Sequence, residues 1–269
     1  MKRKLKVLSL IMGIITIMSL AVGCGKDKAK ETAAPVTSEN VKDSMKGVKL
    51  QIGTATSYAP FTFNDDSGKR VGFDMDLLEE LKNVLGFEYE LSVMDYAPLQ
   101  TSVRSNKLDL AMAALCITPE RKEVMDFSDS YYDAGLLCMA KADSDITSVD
   151  NLKGKVVAVE EGTSSHAYAQ KIDGLKDLLV FPNMSSAYLE LENGKAEAVI
   201  YDEPNILYYK KIHPESKTKI VGEAFNKDDS HYGILFPKGS ENIAKFNAAL
   251  KLIKENGTYD KIYNKWLGK

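Results

Sequence analysis

The chain has 269 residues, with 35 Lys and Arg against 38 Asp and Glu, a formal net charge of −3. An acidic balance of this kind offers no electrostatic pull on nucleic acid or anionic lipid. Three cysteines without CxxC spacing and three scattered histidines, His166, His213 and His231, make neither a disulfide framework nor a metal site, and nothing in the composition calls for a cofactor.

Lys2, Arg3, Lys4 and Lys6 precede an apolar run from Val7 to Val22, broken by Ser9, Gly13, Thr16 and Ser19. A basic start, a short apolar core and small residues before a break predict a secretory signal. The run falls short of the roughly 20 apolar residues of a spanning helix. Leu20-Ala21-Val22-Gly23-Cys24 resembles a bacterial lipobox, with Ala21 where leucine is more usual. Residues 1–23 are therefore expected to be a lipoprotein signal peptide, and Cys24 the lipidated residue. Cleavage there leaves 31 basic residues against the same 38 acidic ones, a balance of −7. Membrane contact then rests on the acyl chains alone. The stretch that follows, KDKAKETAAPVTSENVKDSMK, is too small and charged to bury a core, so residues 24–47 read as lipidated cysteine and flexible tether.

From residue 48 the pattern changes. Val48, Leu50 and Ile52 alternate with polar residues and predict a strand. Leu77, Leu78, Leu81, Val84 and Leu85 fall on one side of a helix from Phe73 to Leu85, with Gly86 as its cap. Phe87, Tyr89, Leu91 and Val93 alternate as a second strand, and a helix near Pro98 to Ser105 leads to the apolar run Leu108 to Leu115. The scheme restarts at Lys155 to Glu160, with a strand, the polar loop Gly162 to Ser165 and a helix. A helix over Ser185 to Glu192, a strand over Ala198 to Ile200 and a helix over Glu203 to Lys211 follow, and Glu241 to Leu267 has one continuous helical period. Strands separated by helices, in two similar units, predict an α/β fold with largely parallel sheets in two lobes. Ligands of such sheets sit beyond the carboxyl ends of the strands, which directs attention to the loops after Ile52, Leu115, Glu160 and Ile200.

The segments SYAPFTFNDDSGKRVGFDMDLL, KLDLAMAALCITPERKEVMDFSDSYYDAGLL and GKVVAVEEGTSSHAYA, continued by AYLELENGKAEAV, DEPNILYY, YGILFPKGS and ENGTYDKIYNKW, resemble the polar amino-acid solute-binding proteins of ABC importers. Among these the segments resemble the glutamine-binding members, and the resemblance runs in order from Val48 to Lys269. It implies a two-lobed type II periplasmic-binding-protein fold with two hinge strands, crossing near Tyr132 to Leu136 and near Asp229 to Gly233. Lobe one would hold 48–133 plus 230–269, and lobe two 134–229. The implied activity is binding rather than catalysis: an extracytoplasmic, lipid-anchored monomer captures an L-amino acid and hands it to an ABC permease and its ATPase.

A free amino acid brings a carboxylate and an ammonium out of water, and each needs an opposite charge and directed hydrogen bonds. Arg121, in Ile117-Thr118-Pro119-Glu120-Arg121, matches the arginine that grips the carboxylate, a task suited to a planar guanidinium. Read alone, it is equally well a solvated surface charge. The amides of Cys116 and Ser164 match positions completing that shell, and Asp202 matches the carboxylate that receives the ammonium. Asp202 before Glu203-Pro204 also has the makings of a helix cap. Tyr58 and Tyr96 match the two aromatic positions flanking the ligand side chain, whereas Gly72, Phe73 and Asp76 read as structural.

The match breaks where side-chain specificity is set. Ala55 stands in place of an acidic residue, Glu160 in place of a lysine and Tyr201 in place of a histidine, while Ala114 and Cys116 replace the usual glycine, serine or threonine. An anion at Glu160 beside three tyrosines suits a ligand tip that donates hydrogen bonds or carries positive charge, provided that Glu160 faces inward. A neutral-polar or basic amino acid is expected, with basic ahead. A dehydratase-like enzyme of the same fold, using Glu160 and Tyr201 as acid and base, and a sensory lipoprotein are the alternatives.

Overall fold

The computed structural model describes residues 37–268. The signal segment, Cys24 and the first part of the tether lie outside the described residues.

The hydrophobic alternation of the chain is spent on two mixed sheets. In the first, the strands run in the order Glu88–Met94, Lys49–Ala55, Leu110–Cys116, His231–Pro237 and Met125–Phe127, with Tyr132–Asp133 paired to His231–Pro237. In the second, the order is Asp177–Phe181, Val156–Glu160, Ala198–Asp202, Leu136–Lys141 and Thr218–Phe225. The first three strands of each sheet are parallel. The remaining pairings are antiparallel, which corrects the expectation of largely parallel sheets. The antiparallel strands are those on either side of the crossings, where the chain enters and leaves the second lobe. The α/β class and the two-lobed architecture stand as expected.

The chain passes between the sheets twice, at residues 134–135 and at 226–230. These crossings are bound to each other: the Ala134 amide donates to the Ser230 carbonyl at 3.0 Å, and His231 pairs with Asp133. Gly135 sits where they touch, since a Cβ there would lie 3.2 Å from the Ala224 Cβ and 3.3 Å from the Phe225 carbonyl oxygen. A side chain there would have to push these neighbours back by a few tenths of an ångström.

Helix Phe73–Leu85 buries Leu77, Leu78, Leu81 and Leu85 and ends on Gly86 in the left-handed conformation, φ +80°. Gly72, just before it, is required sterically, because a Cβ at φ +133° would meet the Phe61 carbonyl oxygen at 2.1 Å. The C-terminal stretch is two helices, Ile243–Glu255 and Thr258–Trp266, where one was expected. Gly257 at φ +75° breaks the helical run between them without disturbing the apolar period. The turn brings Lys265 and Trp266 onto Asp76, at 2.6 and 2.7 Å, so Asp76 ties the C-terminal helix to the first helix. The tether reading also needs correction over its final part. Val41 and Met45 are buried, and the amides of Asp43 and Met45 donate to the carbonyls of Val84 and Leu85 at 2.8 Å. Two apolar residues four apart are enough to seat this segment on the end of the first helix.

Candidate functional site

The strands Lys49–Ala55 and Leu110–Cys116 of the first sheet, and Val156–Glu160 and Ala198–Asp202 of the second, deliver their carboxyl ends to the seam between the lobes. Of the nine residues singled out from the sequence, Tyr58, Cys116, Arg121, Ser164 and Asp202 make contacts across it, Tyr96 packs on Arg121, Tyr201 on Tyr58, and Glu160 on Tyr201, whereas Ala114 meets Asp74 within the first lobe. Eight are buried: Tyr58, Tyr96, Ala114, Cys116, Glu160, Ser164, Tyr201 and Asp202; Arg121 is partly exposed.

Arg121 owes its position to a short helix, Pro119–Val124, opened by Pro119 and capped by the Thr118 hydroxyl, which accepts the Arg121 amide at 3.3 Å. Helical side chains lean toward the N-terminus, and this one folds back so that Nη1 donates to the Cys116 carbonyl at 2.6 Å. Nη2 reaches across the seam to the Gly162 carbonyl at 2.9 Å. The guanidinium carbon stands 5.6 Å from the Tyr96 ring centre, a cation–π distance. Its partners are thus two carbonyls and a ring face rather than a solvated surface charge network.

Asp202 occupies the cap position of helix Glu203–Ile212, with Pro204 in its first turn, yet its side chain makes no capping hydrogen bond. The carboxylate turns into the seam instead. Oδ2 accepts from the Tyr58 hydroxyl at 2.9 Å and from the Tyr232 hydroxyl at 2.6 Å, both from the first lobe. Oδ1 is buried and has no hydrogen-bond partner among the described residues. Burial raises the Asp202 pKa above the usual carboxylate range, while the two tyrosines and the field of Arg121 pull it back. An incompletely paired buried carboxylate is costly, and an ammonium is the group that would complete it.

Glu160 faces inward, 4% exposed, and its Oε2 accepts a hydrogen bond from the Tyr201 hydroxyl. Desolvation raises its pKa to about 8, opposed by that hydrogen bond and reinforced by Asp202 and Asp95. Tyr201 meets Tyr58 edge-on, with ring centres 5.5 Å apart. A carboxyl walled by aromatic rings, with two further carboxylates near, favours a cation and penalises an anion. The Cys116 sulfur and the Ser164 hydroxyl approach across the seam at 3.3 Å, and burial pushes the Cys116 thiol up to about 12, so it acts as a weak neutral donor.

Three contributors escaped the sequence reading. Tyr232, on the strand that returns from the second crossing, shares Asp202 with Tyr58. Gly162 offers one carbonyl to both Arg121 and Gln100, the latter at 3.1 Å, and its φ of +74°, with Ala97 3.2 Å from where a Cβ would stand, makes a side chain there strained and tight. Asn205 donates across the seam to the Ala59 carbonyl at 2.6 Å. A tyrosine alternating with apolar residues in HYGILFP looks like core in sequence, and carbonyl contacts leave no sequence signal at all. A crevice of about 400 Å³ includes Arg121 and Ser164 among its lining residues.

Comparison with known proteins accords with this geometry. The profile of the bacterial extracellular solute-binding proteins, family 3, matches residues 50–269. The ABC transporter glutamine-binding protein GlnH of Bacillus subtilis (strain 168) is 32% identical, over 97% of this chain and 97% of that protein. The arginine-binding extracellular protein ArtP of the same organism is 32% identical, over 81% of this chain and 86% of its own length. Among solved structures, an ancestral arginine-binding protein bound to arginine superposes with a TM-score of 0.78 at 41% identity, covering 83% of this chain and all of that one.

Proposed function

The chain belongs to the bacterial extracellular solute-binding proteins, family 3, and on that premise we propose that it captures an L-amino acid with a cationic side chain between its lobes. It is a binding protein of the ABC-transporter type and not an enzyme. Arg121, with the amides of Cys116 and Ser164, receives the α-carboxylate. Asp202, held by Tyr58 and Tyr232, receives the α-ammonium. Tyr58, Tyr96 and Tyr201 wall the side chain, and Glu160 meets its positive tip.

The observation carrying this reading is the complementarity across the seam. One lobe offers a guanidinium whose own partners are carbonyls, and the other a buried carboxylate oxygen without a hydrogen-bond partner among the described residues. Binding both lobes favours the closed state, because only there are all the charges of a zwitterion paired. A neutral amide is the second reading. It is favoured by the glutamine-binding relative and by a Glu160–Tyr201 pair able to accept N–H groups. Anchoring through the lipid on Cys24, display at the outer face of the cell membrane and delivery to a permease with its ATPase complete the proposal; metabolic acyl labelling lost in Cys24→Ala tests the anchor.

Calorimetric titration with L-arginine, L-lysine, L-glutamine and L-glutamate tests the specificity. Tightest binding is expected for a basic amino acid, with glutamate weakest. Tight glutamate binding with none of arginine or lysine sinks the assignment.

A further inference from the structure

The strand that leads to the clamp contains an irregularity with its own support. Opposite His231–Pro237, Leu115 pairs with Gly233 and Ala111 with Leu235. Met112, Ala113 and Ala114 therefore face the single residue Ile234, and the strand bulges. On its other side, pairing to Lys49–Ala55 covers only Leu110 and Ala111. Ala114 sits at φ +49°, a left-handed conformation that residues with a Cβ adopt at a cost.

A bulge orphans backbone groups, and buried orphans must find partners. Here three of them are met by buried side chains. The Thr54 hydroxyl donates to the Met112 carbonyl at 2.8 Å, and the Ser128 hydroxyl accepts the Ile234 amide at 2.9 Å. The Asp74 carboxylate, fully buried in the first turn of helix Phe73–Leu85, accepts the Ala114 amide at 2.8 Å. Two residues beyond Ala114 lies the Cys116 carbonyl that holds Arg121.

A buried carboxylate spent on one backbone amide is an expensive acceptor where a neutral side chain would serve. The other polar group beside this carboxylate is the Tyr131 hydroxyl, whose ring stacks on Phe73 with centres 6.1 Å apart, and neither Asp74 nor Ala114 takes part in the hydrogen bonds that cross the seam. We propose that Asp74 is a positioning residue for amino-acid binding: by fixing the left-handed Ala114 it sets the Cys116 carbonyl that aims the Arg121 guanidinium at the ligand carboxylate. This rests on the reading of Arg121 as the carboxylate clamp.

The full chain is titrated calorimetrically with the tighter binder of L-arginine and L-glutamine, and with that amino acid's methyl ester, which lacks the anion. Asp74→Ala is expected to weaken the amino acid at least tenfold and the ester much less, because the latch acts through the carboxylate contact. Adding Ala114→Gly, which tolerates positive φ, is expected to recover at least threefold of the loss. A folded Asp74→Ala chain that binds within threefold of wild type overturns the proposal. So does an equal loss for acid and ester, or a double variant no tighter than the single one. Should Asp74→Ala not fold, Thr54→Val, conservative in shape, takes its place: at least a threefold loss confined to the amino acid supports the latch, and unchanged binding overturns it. Arg121→Ala titrated alongside separates the two ideas. Unimpaired binding there refutes the clamp itself, whereas loss there with none in Asp74→Ala refutes only the latch.

Discussion

Single side chains set the chemistry of the seam. In the proposed complex, removing Arg121 would leave a ligand carboxylate desolvated without its counter-charge, a change of about 3 kcal/mol or more, so Arg121→Ala should bind at least about a hundredfold more weakly by calorimetry. Retention within a few-fold contradicts its role. Glu160 and Asp74 carry a second consequence. Their pKa values are raised by burial, to about 8 and about 7, from ordinary values of 4.5 and 3.8. Between those limits the folded chain holds protons that the unfolded chain releases, so unfolding free energy falls as pH rises. Carboxylates such as Asp126 and Asp145, held low by lysines, act in the opposite sense but only below about pH 4. The ligand-free protein should therefore melt at a lower temperature at about pH 8 than at about pH 5. Glu160→Gln should flatten that slope, and a melting temperature that climbs across the window contradicts the buried state of these acids.

At the scale of elements, two glycines with positive φ make a contrast. Gly257, between the C-terminal helices, has open space around its Cα, so Gly257→Ala should cost only the left-handed backbone penalty, about 1 kcal/mol. Gly72→Ala drives a Cβ into the Phe61 carbonyl and should cost several times as much. Chemical denaturation of both variants checks this, and equal effects contradict it. The elements themselves were largely legible. Apolar alternation marks Lys49–Ala55 and Glu88–Met94, and the spacing of Leu77, Leu78, Leu81 and Leu85 with Gly86 marks the helix to its last residue. Less legible were strands whose partners are remote in sequence, such as Thr218–Phe225, whose exposed and buried positions mix. The break at Gly257 was missed because it conserves the apolar period, and the docking of Val41 and Met45 because two residues make a weak pattern. For the site, charged residues in a recognisable context stood out. Tyr232 did not, since a buried tyrosine in a strand reads as core until its hydroxyl is seen to end on Asp202.

For the whole molecule, the two lobes meet as a closed body, bridged by Arg121 to Gly162, Tyr58 and Tyr232 to Asp202, and Asn205 to Ala59. The central claim is that a guanidinium on one lobe and a carboxylate on the other together neutralise a zwitterion. Its most direct test is calorimetric titration of the wild-type chain with L-arginine, agmatine, which lacks the carboxylate, and argininic acid, which lacks the α-ammonium. Arginine is predicted to bind at least a hundredfold more tightly than either analogue, about 3 kcal/mol for each missing charge. Binding of either analogue within tenfold of arginine would contradict the account.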